Sequence, residues 1–389
     1  MSDRKIRNWL DAGLIDADTA LRLREYEADQ SRPLGLWALI GLGALAIGLG
    51  IISLVAANWD DIPGMIRLTV HGILITAVAA VIFLLQPRNG FLGLYLKDVL
   101  LFILAFLGAT FLGHLGQVYQ TSSPLWQPLA TWLLLFSPLL LLAGRGWLIS
   151  LLWVAGLLGT AIAYWSWYTQ QSSELPSLYI AVITSVPVFA LLAGVFARTI
   201  SSRQLFWKQV GQFALASFVA GVTLKLIADG LMTGGLFGSE AAVITLATIQ
   251  LALWGAAALL IYAFHRTAAG IGMAAILLAA ATINSASSAL PSTEPVISAI
   301  WFMAFWAAIG WSANQAGWRN IFQMVVAVIA LRLIILSFEL ASDLLSSGLG
   351  LILAGVITIA IAVVAYRFSK AFAPARMPAS DARNEGGDR

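Results

Sequence analysis

The chain of 389 residues is 60% hydrophobic and 11% charged, with a formal net charge of +3 and a mean hydropathy of +0.88. Soluble domains are about a quarter charged, so this composition predicts an integral membrane protein. The basic residues are spaced singly rather than in a stripe, which argues against nucleic-acid binding, and the absence of cysteine excludes disulfides, thiolate metal sites and a cysteine nucleophile.

The N-terminal segment is the first predicted element. Residues 1–35 hold 13 of the 41 charged residues, and their pattern over residues 3–30 predicts a cytosolic helical hairpin. Gly13 is expected to end its first helix in the left-handed conformation, and Asp16 to cap the second. No apolar signal-peptide core is present, so the first membrane span is expected to be retained. The hairpin is interpreted either as a surface element resting on the membrane or the loops, or as a site for a cytosolic protein partner.

Residues 36–366 predict a transmembrane helical domain. Apolar runs of about 17–25 residues, the length that crosses a hydrocarbon core of about 30 Å, occur about twelve times here. The predicted spans are 36–57, 68–85, 99–119, 129–143, 147–164, 177–196, 210–227, 241–264, 269–290, 296–315, 322–340 and 349–366. The predicted fold class is therefore an all-α polytopic bundle, with kinks at Pro138 and Pro187. The composition of residues 367–389 predicts a disordered cytosolic tail.

Charge distribution predicts the orientation of this domain. With the N-terminus in the cytoplasm, the cytoplasmic segments hold 19 of the 22 Lys and Arg residues, as expected for loops that retain positive charge. The remaining three, Arg67, Lys225 and Arg332, lie in or beside a span. This pattern predicts a multi-pass protein of the bacterial inner membrane with both termini in the cytoplasm.

Polar residues within the spans are costly in lipid, so each is a candidate for function. The predicted topology places most of them toward the periplasmic side, together with Asn284, which suggests a polar vestibule open to the outside. Its candidate residues are Asp60, Asp61, Arg67, His114, Gln117, Lys225, Asp229, Arg332, Glu339 and Asp343. The alternative is that they are interfacial anchors and ion pairs that fix helix packing. His114 and Arg332 are predicted to lie deepest, whereas His71 is interpreted as a packed or interfacial imidazole.

Three stretches of the chain carry a recognisable pattern. The first is Trp9 with Ala12-Gly13-Leu14-Ile15, followed by Ala20 and Tyr26-Glu27. The second is Ala57-Asn58-Trp59-Asp60-Asp61-Ile62-Pro63 followed by Arg67, and the third is Gly113 to Gln120 with Trp126 and Trp132 downstream. Together they resemble the bacterial membrane protein family catalogued as domain of unknown function 2157. The resemblance covers roughly the first 150 residues; it implies a membrane protein and no particular activity.

Three functions are compatible with the sequence. The first is transport or binding of a small solute through the outward-facing vestibule, favoured by the twelve spans and the polar cluster. The second is a membrane-embedded transferase acting on a lipid-linked substrate, with Asp60 or Asp61 as base or metal ligand and Arg67 or Arg332 for the donor phosphate. The third is a noncatalytic sensor or assembly protein that uses the hairpin as its contact.

The predicted partners are the lipid bilayer and a small solute or lipid-linked ligand, with no nucleic acid. The sequence contains no P-loop, no His-Glu-x-x-His metal site and no nucleophile elbow. It therefore predicts neither a cofactor nor a metal site, and soluble-type hydrolysis is not expected.

Overall fold

The computed structural model describes residues 6, 9–10, 12–16, 18–23, 46, 61–84, 91–171, 177–231, 240–289, 295–340 and 348–372. The chain forms two compact units, residues 1–69 and residues 70–389. The predicted all-α class is confirmed over the described residues, which contain helices and no strand.

In the first unit, the turn of the predicted hairpin has the expected geometry. Gly13 has a φ of +66°, and the N–H groups of Gly13 and Leu14 donate to the carbonyls of Leu10 and Trp9 at 3.0 and 2.9 Å. This is the bond pattern of a helix that ends at a left-handed glycine. Asp16 then accepts a bond from the Thr19 backbone N–H through Oδ1 at 3.1 Å. Both predicted roles are confirmed.

The Asp16 cap is ionised in the folded hairpin. Hydrogen bonds from Thr19 hold the pKa of Asp16 below its ordinary value, because they stabilise the carboxylate over the neutral acid. A depressed pKa in the folded state adds stability above the unfolded-state pKa, and that stability is lost as the pH falls through the lowered value. The cap therefore acts at neutral pH and fails only in acid.

Twelve helices with determined bounds follow along the chain. They are α1 (Gly64–Leu84), α2 (Phe91–Val118), α3 (Trp126–Ala143), α4 (Trp147–Gln171), α5 (Ser177–Thr184), α6 (Val186–Ile200), α7 (Gln204–Leu231), α8 (Glu240–Phe264), α9 (Ala268–Ala289), α10 (Pro295–Gln315), α11 (Arg319–Leu340) and α12 (Gly348–Phe372).

Eleven of the twelve predicted spans correspond to described helices. Ten helices are individually long and apolar enough to cross a membrane, and α5 with α6 forms an eleventh span that is bent by 45°. The span predicted at 36–57 lies outside the described residues except for Ala46, which is helical. The last span continues to Phe372 rather than 366, so Arg367 and Lys370 lie on its final turns. Residues 373–389 of the predicted tail are outside the described part.

Helix α7 is central to the described bundle of the second unit. It packs against α4, α6, α9 and α10, while consecutive antiparallel helices such as α8 and α9 pair closely. Buried aliphatic and aromatic side chains of α2 to α4 and α6 to α11 form the main core, and Ile180 and Ala181 of α5 form a smaller cluster with Leu246 of α8. Large apolar side chains also cover the outer surface, for example Leu134, Leu142 and Leu259. A surface of this kind suits contact with lipid.

Buried polar groups tie several connections together at one end of this bundle. The side chain of Arg203, between α6 and α7, donates to the carbonyl of Gly144 at 2.7 Å and to that of Leu141. Asp98, which is 4% exposed near the start of α2, accepts bonds from the backbone N–H groups of Arg145, at 3.1 Å, and Gly146. The α3–α4 connection is thereby joined to both α2 and the α6–α7 connection.

Candidate functional site

The bent span contains a helix break at Ser185. Pro187 has no N–H, so the carbonyl of Ile183 loses its helical donor and the helix cannot continue regularly. Helix α5 ends at Thr184, α6 begins at Val186, and the two axes differ by 45°. The kink predicted at Pro187 is therefore confirmed. Pro138 lies inside the continuous helix α3.

The break positions two hydroxyl groups toward neighbouring helices. Ser185 is completely buried, and its Oγ donates to the carbonyl of Ala181 at 2.6 Å while accepting the indole N–H of Trp254 at 2.8 Å. Thr184 is exposed on the surface of the described bundle, and its Oγ1 donates to the carbonyl of Ile180 at 2.8 Å. Both hydroxyl groups at the break thus donate to backbone carbonyls of the preceding helical turn.

A chain of amide groups leads inward from the break. Gln250 of α8 donates from Nε2 to Thr184 Oγ1 at 2.8 Å, and its Oε1 accepts a bond from Asn284 Nδ2 of α9 at 2.9 Å. Gln250 and Asn284 are 4% and 2% exposed. We call Thr184, Ser185, Gln250, Trp254 and Asn284 the break network. It contains no charged side chain.

The network ends in an unpartnered acceptor. Asn284 Oδ1 is fully buried and has no hydrogen-bond partner within the described part of the chain. A buried polar atom without a partner costs about 1–3 kcal/mol. A hydrogen-bond donor that bound to it would remove that cost. The Asn284 backbone carbonyl, in contrast, accepts bonds from Ser287 and Ser288 at 3.1 and 2.8 Å. The amide oxygen is therefore a position where a bound donor would be favourable.

A second polar contact joins α1 and α2. His71 Nδ1 lies 2.8 Å from His114 Nδ1, and His71 Nε2 lies 2.9 Å from the carbonyl oxygen of Leu107. His71 is 8% exposed and its ring meets that of Phe111 edge to face. The imidazole predicted to be packed is therefore packed, and its partner is the histidine that was singled out as a site candidate.

The acceptor at Leu107 determines the protonation of both rings. A carbonyl oxygen can only accept, so Nε2 of His71 must carry a proton. In neutral His71 the Nδ1 atom is then an acceptor, and His114 must donate from its Nδ1. Thr110 Oγ1, at 3.3 Å from His71 Nε2, is a further contact on the same side of the ring.

Arg332 and Glu339 form an ion pair on α11. Arg332 Nη1 donates to Glu339 Oε1 at 2.9 Å, and the two side chains are 12% and 29% exposed. Their spacing of seven residues returns them to one helix face, as the sequence indicated. The sequence offered, as the alternative to a vestibule, ion pairs that fix helix packing. An ion pair within one helix agrees with that alternative for Arg332.

The other vestibule candidates occupy separate positions. Arg67 Nε donates to the carbonyl of Ile62 at 2.8 Å, which joins the first turn of α1 to the residues that precede the helix. Asp61 is exposed in the turn before α1. Gln117 is exposed on α2, and Lys225 is half-buried on α7. Asp229 is a helical residue of α7, while Asp60 and Asp343 lie outside the described residues.

The His71–His114 contact and the Arg332–Glu339 ion pair lie on helices that do not pack directly on each other among the described residues. Helix α2, with His114, packs on α3 and α4, whereas α11, with Arg332, packs on α10 and α12. Among the described helices, α4, α7 and α10 form the shortest link between these two sets. One common vestibule stays a prediction.

Comparison with known proteins covers the N-terminal part of the chain. The model of a family described as Predicted membrane protein (DUF2157) matches residues 7–149. The predicted resemblance is confirmed there. No curated protein and no solved structure matches the chain. The DUF2157 match includes His71, His114 and Asp98 and ends before the break network, so the network lies in a part of the chain to which the family model does not extend.

Sequence reasoning missed the central members of the break network. Asn284 was noticed as polar, and Pro187 was predicted to kink its span, but Thr184, Ser185 and Gln250 were not considered. Gln250 carried a usable signal, since an amide in the middle of an apolar span is costly unless it is paired. Asp98 was missed because it adjoins Lys97 at a span end, where charges are common. Among the described residues, no three His, Asp or Glu side chains are grouped to hold a metal ion.

Proposed function

We propose that this protein binds and transports a small polar solute, and that the break network forms part of its binding site. The observation that carries the proposal is the buried, unpartnered Asn284 Oδ1 beside a broken membrane helix. Broken helices commonly mark substrate sites in transporters, because they expose polar backbone and side-chain groups within the membrane.

The network indicates the chemistry of such a solute. Asn284 Oδ1 accepts hydrogen bonds, and the surrounding groups are neutral hydroxyls, amides and an indole. An ionised ligand would lack a counter-charge there, which makes it costly to bury. The preferred solute is therefore neutral and carries at least one N–H or O–H group.

The proposal includes an orientation in the bacterial inner membrane. Both termini are cytoplasmic, because the basic residues then lie in the cytoplasmic connections. Ser185 and Asn284 are then in the periplasmic half of their spans, at the level of the His71–His114 pair and of Arg332 with Glu339. Solute would enter from the periplasm, as the predicted vestibule requires.

Single-cysteine labelling tests the proposal, and the natural chain contains no cysteine that would interfere. In intact spheroplasts, a charged thiol reagent that does not cross the membrane should modify Ser287→Cys, one turn from Asn284. The matched control is Ala281→Cys, whose side chain is completely buried among apolar residues of the same helix. It should stay unmodified.

Two exposed connections supply the controls for sidedness. Ser123→Cys, between α2 and α3, should react in intact spheroplasts, and Ser202→Cys, between α6 and α7, should react only after the membrane is opened. If Ser123→Cys reacts while Ser287→Cys is as inert as Ala281→Cys, the network is sealed packing and the proposed site is wrong. The opposite sidedness of the two connections would reverse the orientation.

A further inference from the structure

A large cavity opens at the end of the bundle opposite the break network. It has a volume of about 770 Å³ and lies among α6, α7, α9, α10 and α11. The residues at its mouth are His265, Gly317 and Trp318 of two connections, with Arg198, Lys208 and Arg319 on the helix turns nearby. The volume falls within the range of about 300–1,000 Å³ that is usual for sites of small ligands.

The mouth of this cavity is basic. Arg198, Lys208 and Arg319 contribute three positive charges, His265 lies beside them, and the lining contains no carboxylate among the described residues. Arg319 is placed there by the end of α10, where Gly317 has a φ of +71° and the Trp318 N–H donates to the carbonyl of Ala313 at 2.8 Å. Helix α11 therefore begins at the mouth of the cavity, with Arg319 as its first residue.

The interior of the cavity is apolar and extends deep into the bundle. Leu215, Val219, Met273, Ile276 and Ile309 line it. The lining residues of α7 run from Trp207 to Val219, twelve residues later, so the cavity extends about 18 Å along that helix. Between Ile276 and Asn284 on α9 lie about 12 Å of helix with fully buried Leu277 and Ala280. The cavity is therefore separate from the break network.

Two indole groups in the lining have unused donors. Trp306 is 7% exposed, and its Nε1 has no hydrogen-bond partner within the described chain; the same holds for Nε1 of Trp207. His265 Nδ1 is also buried without a described partner. These nitrogens have no accessible surface, so they lie behind the cavity wall.

We infer that this cavity binds an anionic glycerophospholipid. The phosphate would lie among Arg198, Lys208 and Arg319, and one acyl chain would lie in the apolar interior. Basic pockets between membrane helices are known binding places for anionic lipid headgroups. The basic mouth matches the anionic headgroup, and the apolar interior matches the acyl chain. This inference is independent of the proposed transport function.

Native mass spectrometry of the full chain tests this inference. Protein purified in detergent would be titrated with phosphatidylglycerol and, in parallel, with phosphatidylcholine of the same acyl chains. We expect phosphatidylglycerol to bind more tightly. The double variant Arg198→Gln/Arg319→Gln should weaken that binding roughly tenfold or more, since each basic residue near an anionic headgroup contributes about a fivefold change in affinity.

Two further variants distinguish the cavity from general surface attraction. Arg266→Gln removes an exposed charge in the neighbouring connection that does not line the cavity, and it should bind phosphatidylglycerol like the natural chain. Ala216→Trp keeps every charge but fills the interior, and it should weaken lipid binding several-fold. Circular dichroism and gel filtration would show that each variant is folded.

The inference is overturned by any of three results. These are equal binding of the two lipids, equal losses for Arg266→Gln and the double variant, or displacement of the lipid by millimolar inorganic phosphate. The last result would indicate a site for a free phosphate compound instead of a lipid.

Discussion

His71 and His114 meet through a bond that neither residue's position in the sequence predicts. They are 43 residues apart, on helices that run in opposite directions, and the contact depends on how α1 lies against α2. Sequence analysis could identify both as polar groups in an apolar span. It could not identify the partner, because hydropathy contains no information about which helices are neighbours.

The first residue-scale prediction concerns this pair. His71→Ala should lower the melting temperature in detergent, because it removes the hydrogen bonds of the His71 ring to His114 Nδ1 and to the Leu107 carbonyl, at a cost of about 1–3 kcal/mol. The double variant His71→Ala/His114→Ala should melt close to the His71→Ala variant, since the two losses share one bond. Differential scanning fluorimetry measures both. Strictly additive shifts would show that the bond contributes nothing.

Gln120 shows another limit of residue-by-residue reasoning. It has a φ of +50° at the end of α2, where the Thr121 N–H donates to the carbonyl of Gly116 at 3.0 Å. Helices that end in this way usually have glycine at that position. Gly13 was predicted as a helix stop because it is a glycine, whereas a glutamine in the same conformation carries no such signal.

At the scale of helices, hydropathy and proline placed most elements correctly. Eleven spans and the break at Pro187 follow from apolar run length and from the missing proline N–H. The arrangement of the helices does not follow, because side chains that face lipid and those that face the core are both apolar. The break network therefore emerged only when α5, α8 and α9 were seen together.

The second prediction concerns the closest crossing of two helices. A Cβ added at Gly194 of α6 would lie 2.7 Å from the backbone N of Gly211 on α7, and backbone cannot move aside as a side chain could. Gly194→Ala should therefore destabilise the protein by about 1–3 kcal/mol. The matched control is Gly221→Ala in α7, where nothing lies within 4 Å, so the melting temperature should stay or rise.

Thermal unfolding in detergent compares the two glycine variants directly. If Gly194→Ala melted like Gly221→Ala, the close crossing of α6 and α7 would be contradicted. Such a result would also contradict the position of one wall of the cavity, since Gly194 and Gly211 both line it.

At the scale of the whole second unit, polar groups are divided between two levels. Asp98, Arg203 and the basic cavity mouth lie at the end formed by the short connections, and the break network lies toward the other end. The first set holds connections together and attracts anionic headgroups. The second set leaves a hydrogen-bond acceptor unpaired inside the membrane, which is the feature that a packing role alone does not explain.

The most direct test of a solute site is a high-resolution structure of the purified protein in lipid nanodiscs, inspected around Asn284. The account predicts density for water or solute within hydrogen-bond distance of Asn284 Oδ1, continuous with an opening to the periplasmic side. Close apolar packing against that oxygen, or a protein donor turned toward it with no room for a ligand, would contradict the proposed function.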